Sequence, residues 1–355
     1  MPRPTNATIN LGALRHNLSV VRRHAPRAAV FAVIKANAYG HGVTRAARAL
    51  AGVEGYALLE LDAAVRLREQ GHRERLALLQ GVFEPAELDV AAAHGLALVV
   101  HDESQLRMLD AARGGTRFDV LLKINTGMNR LGFAPRQAAA VLARLESHRA
   151  VRQLTLMTHF ATADDARGVA WQTRALDEVA GGRPLPRCLA NSAAILRYPE
   201  THADWVRPGI MLYGCTPFGD VTAAQLGLKP VMTLTSELIA VRELKPGDRI
   251  GYGGAFEAAR PMRIGVVACG YADGYPRHAP TGTPILVGGS RTRTLGRVSM
   301  DMLCVDVSEI PSAGVGTPVT LWGEGLSADE VAAAAGTVSY ELLCALAPRV
   351  PVIEV

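Results

Sequence analysis

The stretch AVFAVIKANAYGHG, Ala29 to Gly42, sets the reading of the whole chain. Its first six residues, Ala29 to Ile34, form an unbroken apolar run with the character of a buried strand. The run stops at Lys35, a residue type almost never fully buried unless paired or put to use. Small residues, Asn37, Tyr39 and two glycines follow, and a helical pattern opens near Val43. Desolvation at the end of an apolar strand lowers the pKa of an amine and leaves it nucleophilic. Lys35 therefore suits a Schiff base with an aldehyde cofactor. The plainer reading is a lysine that snorkels at a strand end.

Working outward, the same texture repeats. Short apolar runs at Gly55–Glu60, Leu76–Gln80, Leu96–Val100, Asp119–Ile124, Leu154–His159, Arg187–Ala190 and Asp204–Gly209 follow the first one. Helical patterns lie between them, among them Leu61–Glu69, Glu103–Ala112 and Pro135–Ser147. Strands alternating with helices in this number predict an N-terminal (β/α)8 TIM-type barrel, with an open doubly wound sheet as the alternative. In a barrel the chemistry gathers where strands end. Lys35, Lys123, His159, Asn191 and Arg207 all fall there. After about Gly227 the helical period fades into short β-type runs broken by Gly and Pro, with turn signals at Lys245–Asp248 and Ala272–Pro276. The division is thus a barrel over residues 1–227 and a mostly-β C-terminal domain over residues 228–355. Residues 1–10 are a candidate to pair with the β domain. Ser327 reads as the N-cap of a short helix that ends before Gly336.

Composition narrows the function. The chain has 355 residues, 49% hydrophobic and 20% charged, which describes a globular protein with a sizeable core. A net charge of +5 from dispersed arginines, with only 5% aromatic residues, argues against a nucleic-acid partner. Five widely spaced cysteines without a CxxC pair suggest neither a zinc site nor a disulfide framework, so no metal is expected. No apolar run has the length of a signal peptide core or a membrane span, and the expected location is the cytoplasm.

Two junctions suit a phosphate. ANSAAIL, Ala190 to Leu196, supplies Asn191 and Ser192 between strand and helix, and RPGIMLYG, Arg207 to Gly214, supplies a glycine turn after the last barrel strand. Barrel phosphate sites commonly use these two loops. Arginine is always charged and only donates hydrogen bonds, so Arg207 opposite a ring nitrogen would leave that nitrogen unprotonated. Its alternative is a surface pair with Asp204. In LKINTGMNRLGF, Leu122 to Phe133, Arg130 presents parallel donors that fit an amino-acid carboxylate, unless Lys123 and Arg130 merely line a solvated loop.

AVIKANAYGHG, LKINTGMNRLGF, ANSAAIL and RPGIMLYG together resemble the alanine racemases. So do IGYGGAF (Ile250–Phe256), GYADGYPR (Gly270–Arg277), GRVSMDM (Gly296–Met302) and SYELLC (Ser339–Cys344). The resemblance runs from near Thr8 to the end of the chain. It implies a pyridoxal 5′-phosphate (PLP) enzyme that interconverts L- and D-alanine for peptidoglycan or alanine catabolism. Lys35 would be the Schiff-base lysine. Tyr39, Ser192, Gly209, Ile210 and Tyr340 would hold the phosphate, with Asn191 also at the cofactor. Arg207 would face the pyridine nitrogen, with His159 hydrogen-bonded behind it. Arg130 and the Met300 N–H would bind the substrate carboxylate. Lys123 would be carbamylated, although Asn125 stands where the family often has Asp. Tyr252 would be the second base, working in the partner's pocket of a homodimer. Because a tyrosine ordinarily titrates at about pH 10, it would need a cation nearby. Tyr271 and Tyr340 would narrow the entrance, and Asp164, Arg277, Arg297 and Asp301 would line its approach. A serine-preferring racemase and a non-catalytic PLP carrier are the competing readings. The carrier would end before the β domain.

Overall fold

A computed structural model describes residues 3–355. The chain begins with β1 (Asn6–Ile9) and the helix Leu11–His24, whose N-cap Asn10 accepts from the Ala13 N–H. Eight parallel strands then close into a barrel: β2 (Ala29–Val33), β3 (Gly55–Leu58), β4 (Arg75–Leu78), β5 (Ala97–Val100), β6 (Phe118–Lys123), β7 (Val151–Met157), β8 (Arg187–Cys188) and β9 (Trp205–Val206). Closure comes from β2 against β9, with Ala29 opposite Trp205 and Val30 opposite Val206. The open-sheet alternative is thereby excluded. β3 and β5 are buried along their whole length, which is why they read as continuous apolar runs rather than alternating ones.

The β-rich part is built on the long strand β10 (Met232–Leu244). The strands β11 (Arg249–Ile250), β12 (Phe256–Glu257), β13 (Met262–Val267), β14 (Pro284–Val287), β15 (Ser290–Leu295), β16 (Leu303–Asp306), β17 (Pro318–Trp322) and β18 (Val352–Glu354) follow. β1 pairs antiparallel with β10 and parallel with β18, so the first strand of the chain lies in the C-terminal sheet. β10 bends through a register shift between Leu238 and Ala240 and pairs with β13 at its far end, curling the sheet. The hairpin β11–β12 stands on a small apolar cluster of its own, Ile250, Ala258, Met262, Ile264 and Leu295, and carries Tyr252. The helix Ala328–Ala334 is capped by the Ser327 side chain, which accepts from the Glu330 N–H. Among the described residues no helix is long and apolar enough to cross a membrane, and no cluster of His, Cys, Asp or Glu is arranged to hold a metal.

Candidate active site

A cavity of about 770 Å³ opens at the C-terminal ends of the barrel strands, where a barrel places its chemistry. Lys35, Tyr39, Lys123, Arg130, His159, Asp164, Asn191, Ser192, Arg207, Gly209, Ile210 and Tyr340 all line it. Twelve of the residues singled out from the sequence thus converge on one space. Tyr252, Tyr271, Arg277, Arg297, Met300 and Asp301 do not reach it within this chain. They lie on the β domain, where Tyr252 is 71% and Met300 53% exposed.

Lys35 follows β2 after Ile34, and its amine has no hydrogen bond or ion pair among the described residues. Burial, then the charge of Arg130, lowers its pKa from the ordinary lysine value. The chain after it turns in a left-handed sense: Ala36, Asn37, Ala38 and Tyr39 have φ of 52°, 53°, 53° and 52°. Left-handed backbone costs non-glycine residues roughly 1–2 kcal/mol each. The packing around this turn holds four of them in succession. Sequence patterns did not reveal it, because none of the four is glycine.

At one end of the cavity the hydroxyls of Ser192 and Tyr39 converge on Gly209. The Ser192 Oγ accepts from the Gly209 N–H at 2.9 Å, which leaves its own proton to donate. A Cβ at position 209 would stand 2.6 Å from the Tyr39 hydroxyl, so glycine is required for Tyr39 to lie against this backbone. Asn191 caps the helix Ser192–Arg197 by accepting from the Ala194 N–H.

Arg207 follows β9 and is buried. It donates to the Cys188 carbonyl and sulfur, the Thr158 carbonyl at 2.7 Å and the Leu189 carbonyl at 3.0 Å. The surface pair with Asp204 is therefore excluded. The expected hydrogen bond to His159 is also absent among the described residues, because both terminal nitrogens are spent on the acceptors around β8. His159 is nonetheless neutral. Burial, then the charge of Arg207, pushes its imidazole down to about 3.

Lys123 is the last residue of β6 and is buried at 8% exposure. Burial and the charges of Arg207, Arg130 and Lys35 push its amine down to about 8. Asn125 does not address that charge. Its Oδ1 accepts from the Gly127 and Asn129 N–H groups and its amide donates to Asn129, so it shapes the loop that carries Arg130. Lys35, Lys123, Arg130 and Arg207 face Asp164 as the one carboxylate lining the cavity. Such a space calls for anions. A phosphate, a substrate carboxylate and a carbamate on Lys123 are three that match its donors, and the donor set fits PLP on this observation.

Some contributors gave no sequence signal. Gln172, fully buried, donates to the Thr126 hydroxyl and the His159 carbonyl and accepts from the Ala161 N–H, bracing the loops after β6 and β7. Its place in an amphipathic helix looked ordinary. Asp273 is likewise buried, and it joins Arg3 to Arg349 across the β domain.

Comparison with known proteins shows the family of the chain. Residues 9–217 match the family model "Alanine racemase, N-terminal domain", and residues 231–354 match "Alanine racemase, C-terminal domain". An alanine racemase of Nitrosospira multiformis is 61% identical over 352 residues, covering 98% of this chain and 99% of that protein. One of Nitrosomonas eutropha is 57% identical over 360 residues, covering both chains in full. The crystal structure of the biosynthetic alanine racemase from Pseudomonas aeruginosa superposes with a TM-score of 0.95 at 49% identity, covering 99% of each chain. On sequence and fold alike, the chain belongs to the alanine racemase family.

Proposed function

We propose that the chain is a cytoplasmic, PLP-dependent alanine racemase that works with two bases as a homodimer, supplying D-alanine for peptidoglycan or serving alanine catabolism. The observation that carries the cofactor is the unpaired Lys35 amine in a cavity with hydroxyls around Gly209 at one end and the buried Arg207 at the other. Lys35 would hold the cofactor covalently, with Tyr39, Ser192, Asn191, Gly209, Ile210 and Tyr340 at its phosphate and Arg207 at its ring nitrogen. When bound, PLP withdraws electrons from the α-carbon of the attached amino acid and makes its proton acidic.

The residues of the chain do the rest. Arg130 and the Met300 N–H would fix the substrate carboxylate, so that the Cα–H bond points at a base. Racemisation needs a proton removed on one face and returned on the other. The Lys35 amine, with its lowered pKa, is suited to carry the proton on the face of D-alanine. Tyr252, on an exposed hairpin of the β domain, would serve the other face in the partner's cavity, beside Tyr271 and Met300. Tyr271, Tyr340, Asp164, Arg277, Arg297 and Asp301 would shape the approach and favour a methyl-sized side chain. A carbamate on Lys123 would turn one of the four cations into an anion that orients Arg130.

The test is α-proton exchange in heavy water together with racemisation of alanine. Wild type should racemise alanine well above L-serine. Tyr252→Phe should lose α-proton exchange of L-alanine yet keep that of D-alanine, while Lys35→Ala should lose the cofactor's visible absorbance and both reactions. Bound PLP without turnover of alanine would instead make the chain a carrier.

A further inference from the structure

His41 takes no part in the chemistry above, yet it is wholly buried two residues beyond Tyr39. Its Nδ1 lies 3.0 Å from the Ala38 carbonyl and 2.8 Å from the Tyr39 carbonyl. Both oxygens only accept, so Nδ1 carries the proton. These are the carbonyls of the last two residues of the left-handed turn that follows Lys35. The other ring nitrogen, Nε2, is buried with no hydrogen-bond partner among the described residues. A buried acceptor without a partner is unfavourable, so packing alone would be better served by phenylalanine. The ring also stacks on Tyr213 with centroids 4.6 Å apart, and Tyr213 stacks at the same distance on Tyr39. The Tyr213 hydroxyl donates to the Val33 carbonyl at 2.8 Å, fixing that ring to the end of β2. On the far side the turn packs against the helix Ser339–Cys344, whose Leu343 carbonyl leaves no room for a side chain at Gly40.

We infer that His41 is a positioning residue: its Nδ1–H clamps the left-handed turn and its ring, through Tyr213, aims the Tyr39 hydroxyl at Gly209, so that Lys35 and Tyr39 are set for the cofactor before it binds. The inference rests on the proposed PLP chemistry. A neutral imidazole suits the role, since the clamp needs a donor and no charge. Burial pushes His41 down to about 4, so the ring stays neutral in the physiological range.

Three substitutions separate the donor from the ring. His41→Phe keeps a ring for Tyr213 and removes the donor. His41→Asn puts an amide nitrogen near the place of Nδ1, whereas His41→Gln puts one near Nε2. The readouts are PLP affinity of the apoenzyme, hydrogen exchange of the segment 35–43 in the apoenzyme, and kcat against KM. His41→Phe should fold, bind PLP about tenfold more weakly and exchange faster over 35–43. Its kcat should fall with KM for alanine nearly constant. A tenfold loss is the order expected of one hydrogen bond. His41→Asn should retain more PLP affinity than His41→Gln. A folded His41→Phe with wild-type PLP affinity and exchange would overturn the inference. If His41→Phe fails to fold, the amide pair decides, and His41→Asn no better than His41→Gln overturns it too. Wild type that binds no PLP would instead overturn the proposed function.

Discussion

The Arg207 guanidinium reaches Cys188 twice, through the carbonyl at 2.5 Å and the sulfur at 3.1 Å. With the carbonyls of Thr158 and Leu189 this gives it only neutral acceptors. Among the described residues no carboxylate pairs with it, which would suit the proposed donor to a ring nitrogen. Lysine lacks the planar fork that spans these acceptors. Arg207→Lys should therefore leave carbonyls unpaired, lowering stability by about 1–3 kcal/mol. Its kcat should fall by about 10²–10³, the scale of one lost preorganised donor. Urea unfolding and initial rates check this, and a variant within about threefold of wild type would remove Arg207 from the chemistry.

Lys123 offers a pH signature. Its amine is pushed down to about 8 in the fold from an ordinary value of 10.5. Between those values the unfolded chain binds more protons, so this group makes stability rise with pH. Its full cost is present below about pH 8 and is gone above about 10.5. In CO2-free buffer Lys123→Met should be more stable than wild type at pH 7, with the gap closing toward pH 10. Bicarbonate should narrow the gap at pH 7 if a carbamate forms. Parallel stability curves for the two proteins would show that no buried cation is present.

Asp273 makes a different linkage. Burial pushes its carboxyl up, but hydrogen bonds from Arg3, Arg349 and the Gly270 N–H outweigh this and hold it below the usual carboxylate range. A depressed carboxyl stabilises above its unfolded pKa, so the contribution is present above about pH 4 and lost as pH falls further. The same network carries the loop of Tyr271, whose N–H donates to the Ser299 carbonyl, and the Ala272 N–H donates to Met300. Asp273→Ala should cost about 2–4 kcal/mol at pH 7, somewhat under a fully buried pair because both arginines reach solvent. KM for alanine should rise as the loops of Tyr271 and Met300 loosen. Equal stability of wild type and variant at pH 7 would exclude the network.

Much of this architecture was legible from period and punctuation. The eight barrel strands each left an apolar run, because a strand covered on both faces shows no alternation to obscure it. Polar residues at their ends, Lys35 and Arg207 above all, marked the cavity. The left-handed turn at Ala36–Tyr39 was not legible, since tertiary packing against Tyr213 and the Ser339–Cys344 helix holds four residues of which only Asn37 has any such preference itself. Nor were the acceptors around Arg207, which come from the ends of β7 and β8. Backbone carbonyls leave no mark in a sequence. The hydrogen bond to His159 was expected from resemblance and gave way to those carbonyls.

Tyr252 and Lys35 do not line a common cavity within one chain, and this makes the proposed shared site testable by mixing variants. Tyr252 is outside the cavity that Lys35 lines. If each cavity receives Tyr252 from the partner, then Lys35→Ala and Tyr252→Phe damage the same site of a mixed dimer. The Lys35→Ala chain still lends its tyrosine to the cavity of the Tyr252→Phe chain, which still has its lysine. One of the two sites is whole. Random reassortment of equal amounts makes half the dimers mixed, so activity should return to about a quarter of wild type in a two-fold assembly. If Tyr252 swung into the cavity of its own chain, every site in the mixture would lack one base and no activity would return. Subunit exchange followed by an assay on L-alanine decides between the two, and in the first case dilution that dissociates the dimer should abolish the recovered activity.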